Sequence, residues 1–156
     1  MNKSNKNKII KSNYTKEMVE SIYLRNYGSE EYFKRSYCDN LIYTEGIKDF
    51  QISLNTFWIV DWYISHIRKI IKITKAVDDG FFVGTIKIKN NNTATFEIFR
   101  EGYITKNNKK EYNNHITIIK EKFNNVDLPK YDYKFYLILT KVEPIFEYCL
   151  MLTSEY

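Results

Sequence analysis

Glycine and proline are scarce in this chain, with five and two among 156 residues. No glycine-rich loop is present to cradle a phosphate. No Gly-x-Ser-x-Gly elbow is present either, which argues against a hydrolase built on one. Cysteine is limited to Cys38 and Cys149, and histidine to His66 and His115. These four residues show no paired metal-ligand spacing, so neither a zinc site nor any cofactor is expected. Two distant cysteines predict free thiols in a reducing cytoplasm. The amino-terminal stretch has no apolar segment of the kind a secretion signal requires. The longest apolar-rich segment, 57–73, is broken by Asp61, His66, Arg68, Lys69 and Lys72. It is too polar to span a bilayer, and no membrane partner is expected.

Tyrosine is abundant, with 14 copies, and the sequence ends on Tyr156. Tyrosine joins a large apolar body to a polar tip, which suits interfaces and half-buried positions. The apolar run Ile145 to Leu152 predicts that the last residues are docked. The net charge of +5 is concentrated at one end. Lys3, Lys6, Lys8, Lys11 and Lys16 occur with no acid before Glu17, and residues 17–156 are neutral overall. Residues 1–13 therefore read as a flexible basic tail, and 14–156 as one domain. Contact with nucleic acid through Lys3, Lys6, Lys8 and Lys11 is the functional alternative for that tail.

Thr15 is placed to cap a helix running to about Tyr27, which Gly28 stops. Ser29 is placed to cap a second, short helix, with Glu30 and Glu31 in its first turn and Lys34 and Arg35 in its last. Residues 41–44 read as a short strand closed by Gly46, and 47–54 are ambiguous. Asn55 or Thr56 opens the strongest helix, to about Ile71, apolar around most of its circumference and so expected to be the central buried helix. Asp78-Asp79-Gly80 signals a turn. Strands follow at Phe81 to Lys89, Thr93 to Arg100, His115 to Phe123, Tyr133 to Thr140 and Ile145 to Leu152, the first two joined through Asn90-Asn91-Asn92. Helices first and strands afterwards predict an α+β fold, with an antiparallel sheet of about five strands and the helices on one face.

Three segments in order carry a resemblance: Leu41-Ile42-Tyr43-Thr44-Glu45-Gly46-Ile47, Thr56-Phe57-Trp58-Ile59-Val60-Asp61-Trp62-Tyr63-Ile64-Ser65-His66, and Leu152-Thr153-Ser154-Glu155-Tyr156. Tyr27-Gly28-Ser29-Glu30-Glu31-Tyr32-Phe33 adds a fourth. Together they resemble a small bacterial family of uncharacterised single-domain proteins, a domain of unknown function, over roughly residues 24–156. Thr153 stands where that pattern has proline, and the stretch around 100–130 matches poorly. The resemblance implies an accessory protein of plasmids, phages or integrated elements, and it brings no activity.

Asp61, set among aromatics on a helix expected to be buried, is the sharpest single residue. Such a carboxylate is either a structural acceptor or an acid/base group. Trp58, Asp61, Trp62 and Ser65 share one helix face. Ser65, His66 and Asp61 cannot aim as a triad from neighbouring positions of one helix. Glu45 is expected to cap a turn, and Glu155 to pair with a basic side chain. A paired-carboxylate site would need the two to meet. Lys130, Tyr131, Tyr133, Lys134, Phe135 and Tyr136 mix basic and aromatic residues as single-strand binders do, although alternation turns Tyr133 and Phe135 the other way.

Three functions compete. The first is a non-enzymatic protein-interaction module of a mobile element, for instance an inhibitor of a host defence nuclease such as a CRISPR effector. The second is a nucleic-acid-binding module. The third is an enzyme or small-ligand site around Asp61, Tyr43 and Glu155. The candidate binding residues are Tyr43, Glu45, Trp58, Asp61, His66, Lys130, Lys134, Tyr136, Glu155 and Tyr156.

Overall fold

A computed structural model describes residues 12–156. Helix α1 (Lys16–Arg25) begins at Thr15, whose hydroxyl accepts from the Met18 N–H. It is followed by β1 (Tyr32–Lys34), β2 (Leu41–Thr44), α2 (Glu45–Leu54) and α3 (Trp58–Val77). Next come β3 (Phe81–Ile88), β4 (Ala94–Lys106), β5 (Lys109–Phe123), β6 (Tyr133–Lys141) and β7 (Glu147–Leu152), with a 3₁₀ turn at Thr153–Glu155. The strands form one seven-stranded sheet in the order β1-β2-β7-β6-β3-β4-β5.

The α+β class matches the sequence reading, whereas the count of about five strands is too low. The predicted helix at 29–35 does not form. Ser29 Oγ donates to the Glu31 carbonyl and accepts from the Glu45 N–H, and Tyr32–Lys34 pairs with β2. A seven-residue helix is marginal by itself, so pairing with a strand outweighs the favourable charge pattern. The sheet is also not wholly antiparallel, because β2 runs parallel to β7, Leu41 opposite Tyr148 and Tyr43 opposite Leu150.

Several element boundaries also differ from the sequence reading. β4 and β5 continue to a tight turn at Asn107-Asn108, both with positive φ (49° and 60°). That conformation suits a two-residue hairpin, and asparagine tolerates it. Gly46 does not close β2. It is the second residue of α2, the ambiguous segment, and Thr44 is the cap. Asn55 ends α2 in the left-handed conformation (φ 50°) rather than opening α3. α3 runs six residues past Ile71 and stops at Asp78, also left-handed.

α3 is amphipathic rather than buried all round. Ile59, Val60, Tyr63, Ile67, Ile70 and Thr74 are buried, while Phe57, Trp58 and Asp61 are exposed. This buried stripe lies on the sheet. The Tyr63 hydroxyl sits over Gly84, a space that any Cβ there would fill. Trp58 and Trp62 both pack on Phe96 (5.2 and 5.3 Å between ring centroids). Phe50 of α2 meets Tyr133 and Phe135 edge-on, and Tyr148 donates to Thr74 Oγ1 at 2.6 Å. Tyr133, Phe135 and Leu137 are fully buried, as the alternation predicts. Phe81, Tyr136 and Tyr156 form a separate aromatic group. Among the described residues, no helix is long and apolar enough to cross a membrane.

Candidate functional site

The first two turns of α3 bring Trp58, Asp61, Trp62 and Ser65 to the wall of one depression of about 520 Å³. This is the helix face the spacing predicts. The end of α2 and the corner after it (Leu54, Asn55, Thr56) close one end, and the end of β5 with the segment after it (Phe123 to Asp127) closes the other. Both ends are pinned. The Thr56 N–H donates to the Gln51 carbonyl at 3.0 Å, and the Val126 N–H donates to the Asn92 carbonyl at 2.8 Å. Val126 and Leu128 are buried, which seats the 124–128 segment on the core. Asn13, assigned to the tail by the sequence, donates to both oxygens of Asp127 (3.1 and 2.8 Å). Burial pushes the Asp127 carboxyl up, but hydrogen bonds from Ser12 and Asn13 outweigh it and hold the group below the usual carboxylate range.

Asp61 is not buried: its side chain is 50% exposed. Of the aromatic neighbours that suggest a core position, Tyr63 is buried, whereas Trp58 and Trp62 line the pocket and Phe57 is exposed. Asp61 Oδ1 accepts from Arg35 Nε at 3.2 Å and from the Tyr37 hydroxyl. Among the described residues no protein donor reaches Oδ2. Arg35 spreads its remaining donors over Tyr43 Oη (3.3 Å), Gln51 Oε1 (2.9 Å) and the Phe57 carbonyl (3.0 Å). It thereby ties the loop after β1 to β2, α2 and the start of α3. Sequence reasoning misses Arg35, Tyr37 and Gln51. In sequence Arg35 is only a cation at the end of an expected helix, and nothing local marks it as a hub.

The Ser65, His66 and Asp61 side chains point to three different partners. Ser65 Oγ donates to the Trp62 carbonyl at 2.6 Å. His66 Nε2 lies 2.7 Å from Glu121 Oε1, and Trp62 Nε1 donates to Glu121 Oε2 at 3.4 Å. Glu121 therefore fixes both rings of the α3 face and steadies the tryptophan wall.

The first and last of the motif segments converge elsewhere. Among the described residues, Glu155 pairs with no basic side chain. It caps the N-terminus of α2, where Oε1 accepts from the Gly46 N–H (2.9 Å) and Oε2 from the Thr44 hydroxyl (2.5 Å) and the Leu152 N–H (2.9 Å). A carboxylate there meets orphan N–H groups and the positive end of the helix dipole. A Cβ on Gly46 would lie 2.5 Å from the Glu155 carboxyl carbon. Glu45 next to it opens α2 with an exposed side chain. Thus Tyr-Thr-Glu-Gly and Ser-Glu-Tyr form one structural clasp.

The basic-aromatic segment does not form a continuous stacking surface. Tyr133 and Phe135 lie in the core, and Tyr131 packs on Tyr23. Tyr136 packs with Phe81 and the exposed Tyr156. Lys134 lies over the Tyr136 ring, and Lys130 donates to Asn90 Oδ1 at 2.9 Å. Lys3, Lys6, Lys8 and Lys11 lie outside the described residues. Among the described residues there is no cluster of three or more His, Cys, Asp or Glu able to hold a metal.

A family model described as a family of unknown function (DUF6876) matches residues 19–156, and the chain belongs to that family. No curated protein and no solved structure matches it.

Proposed function

We propose that this member of DUF6876 is a non-enzymatic protein-binding module that seats a side chain of its partner against the pocket wall formed by Trp58 and Trp62. The observation that carries this reading is the placement of both tryptophans of the chain on one helix face, at the mouth of a depression of about 520 Å³. Buried aromatic anchors in such concavities dominate the energetics of many interfaces. The hydroxyl, imidazole and carboxylate nearest the pocket are each bonded to a separate structural partner, which favours binding over catalysis. An inhibitor of a defence nuclease carried by a mobile element is the narrower form of this proposal.

Affinity capture by the tagged full chain, from lysate of its host split into nuclease-treated and untreated halves, tests the reading against a Trp58→Ala control. A protein partner that survives nuclease and is lost with Trp58→Ala supports it. A partner held equally by both chains moves the interface away from the pocket. Partners that disappear with nuclease support the nucleic-acid alternative. A plasmid-interference assay in cells carrying a defence nuclease tests the narrower form.

A further inference from the structure

The pocket's chemistry is more specific than its shape, and a preference for one kind of occupant rests on the reading that it is a binding site. Among the described residues, the only charged side chains lining it are the carboxylates of Asp61 and Asp127, and no lysine, arginine or histidine lines it. Asp127 has both oxygens occupied by Asn13, whereas Asp61 keeps Oδ2 free of protein donors among the described residues. Indole is the strongest cation–π partner among side chains, and two indoles border this carboxylate. Asn55, Asn124 and Asn125 add amide carbonyls able to accept hydrogen bonds.

We infer that the pocket receives the guanidinium of an arginine side chain from a partner protein, stacked on Trp58 or Trp62 and donating to Asp61 Oδ2. An arginine suits this site better than a neutral or acidic group. Its plane stacks on an aromatic face, and all its polar hydrogens are donors facing a wall of acceptors. The cation already on Asp61 Oδ1 is Arg35, outside the pocket lining and occupied by Gln51, Tyr43 and the Phe57 carbonyl.

Trp58 and Trp62 are the only tryptophans in the chain, so intrinsic tryptophan fluorescence reports on this pocket alone. The full chain is titrated with acetyl-Gly-Arg-Gly-amide and with the same peptide carrying citrulline, which keeps the shape and removes the charge. The arginine peptide is expected to shift the emission at millimolar concentration. Citrulline is expected to bind at least about tenfold more weakly, and Asp61→Asn to weaken the arginine peptide by about tenfold, the loss expected for one charged hydrogen bond. Trp58→Ala, at an exposed position, gives a second variant with Trp62 kept as reporter. Its expected effect is also a loss of affinity. If citrulline and arginine peptides bind alike, the cation inference is overturned while a binding pocket remains. If neither peptide moves the emission, both the inference and the pocket reading fall.

Discussion

Three donors surround the carboxylate of Glu155, and they take both of its oxygens. Among the described residues two donors reach Asp61, and they crowd onto one oxygen. Each acid sits beside the first turn of a helix, α2 for Glu155 and α3 for Asp61. The difference lies in what the fold brings to each. The segment 152–155 curls back over Thr44 and Gly46, so Glu155 is enclosed by backbone. Asp61 faces outward, where Trp58 and Trp62 leave a depression. A saturated carboxylate fastens elements together, and a half-used one in a concavity is available to a ligand.

The contrast is tested most severely at the clasp. Glu155→Ala leaves the Thr44 hydroxyl and two backbone N–H groups without their acceptor, and is expected to cost about 3 kcal/mol of stability by urea unfolding. A cost under about 0.5 kcal/mol, the range of a plain surface change, would show that the clasp fastens nothing. Gly46→Ala is expected to cost about 2 kcal/mol, because the new methyl displaces the Glu155 carboxylate. In a Glu155→Ala background that cost should vanish or turn into a small gain, since alanine is the better helix former. Additive costs would separate Gly46 from Glu155.

Asp49 is an intermediate case. Its two oxygens are held by Arg25 Nε and Nη2 (2.7 Å each), with Asn26 and Ser53 adding bonds at 2.9 Å, yet its side chain is 26% exposed. The Arg25 hydrogen bonds, with help from Asn26 and Ser53, hold its carboxyl below the ordinary value of 3.8. A depressed folded pKa means that the stabilisation is present above 3.8 and is lost as pH falls through the folded value. Asp49→Asn is therefore expected to cost about 1 kcal/mol at neutral pH. The gap from the parent chain should close as denaturation is followed from about pH 5 to about pH 2. A gap independent of pH would contradict the ion pair.

The smallest effect is expected at Asp61. Asp61→Asn should change stability by less than about 1 kcal/mol, as for other exposed pairs, while lowering arginine-peptide affinity. A chain that unfolds instead would make Asp61 a second clasp and erase the contrast.

Much of the local structure is legible in the sequence. Thr15 announces α1, the alternation of Tyr133, Phe135 and Leu137 announces β6, and the spacing of Trp58, Asp61, Trp62 and Ser65 announces one shared helix face, which the structure turns into the pocket wall. Asp61 misleads because aromatic residues flank it on both sides. Residue type alone does not distinguish an aromatic facing the core, such as Tyr63, from one at a rim, such as Trp58. Residues 101–114 carry too many polar side chains to read as strand. They form a two-stranded ribbon extending beyond β3, where neither face has to be apolar.

The amino-acid sequence by itself determined the Thr15 cap, the helix face that became the pocket wall, and the inward and outward sides of β6. Each depends on residues within a turn of helix or two strand positions of one another. Only the tertiary structure decided that β2 lies parallel to β7, that Arg35 joins three elements, and that Glu155 meets Gly46 across 109 positions. Those contacts follow from how the sheet and helices bury their apolar faces together, and no local periodicity encodes them.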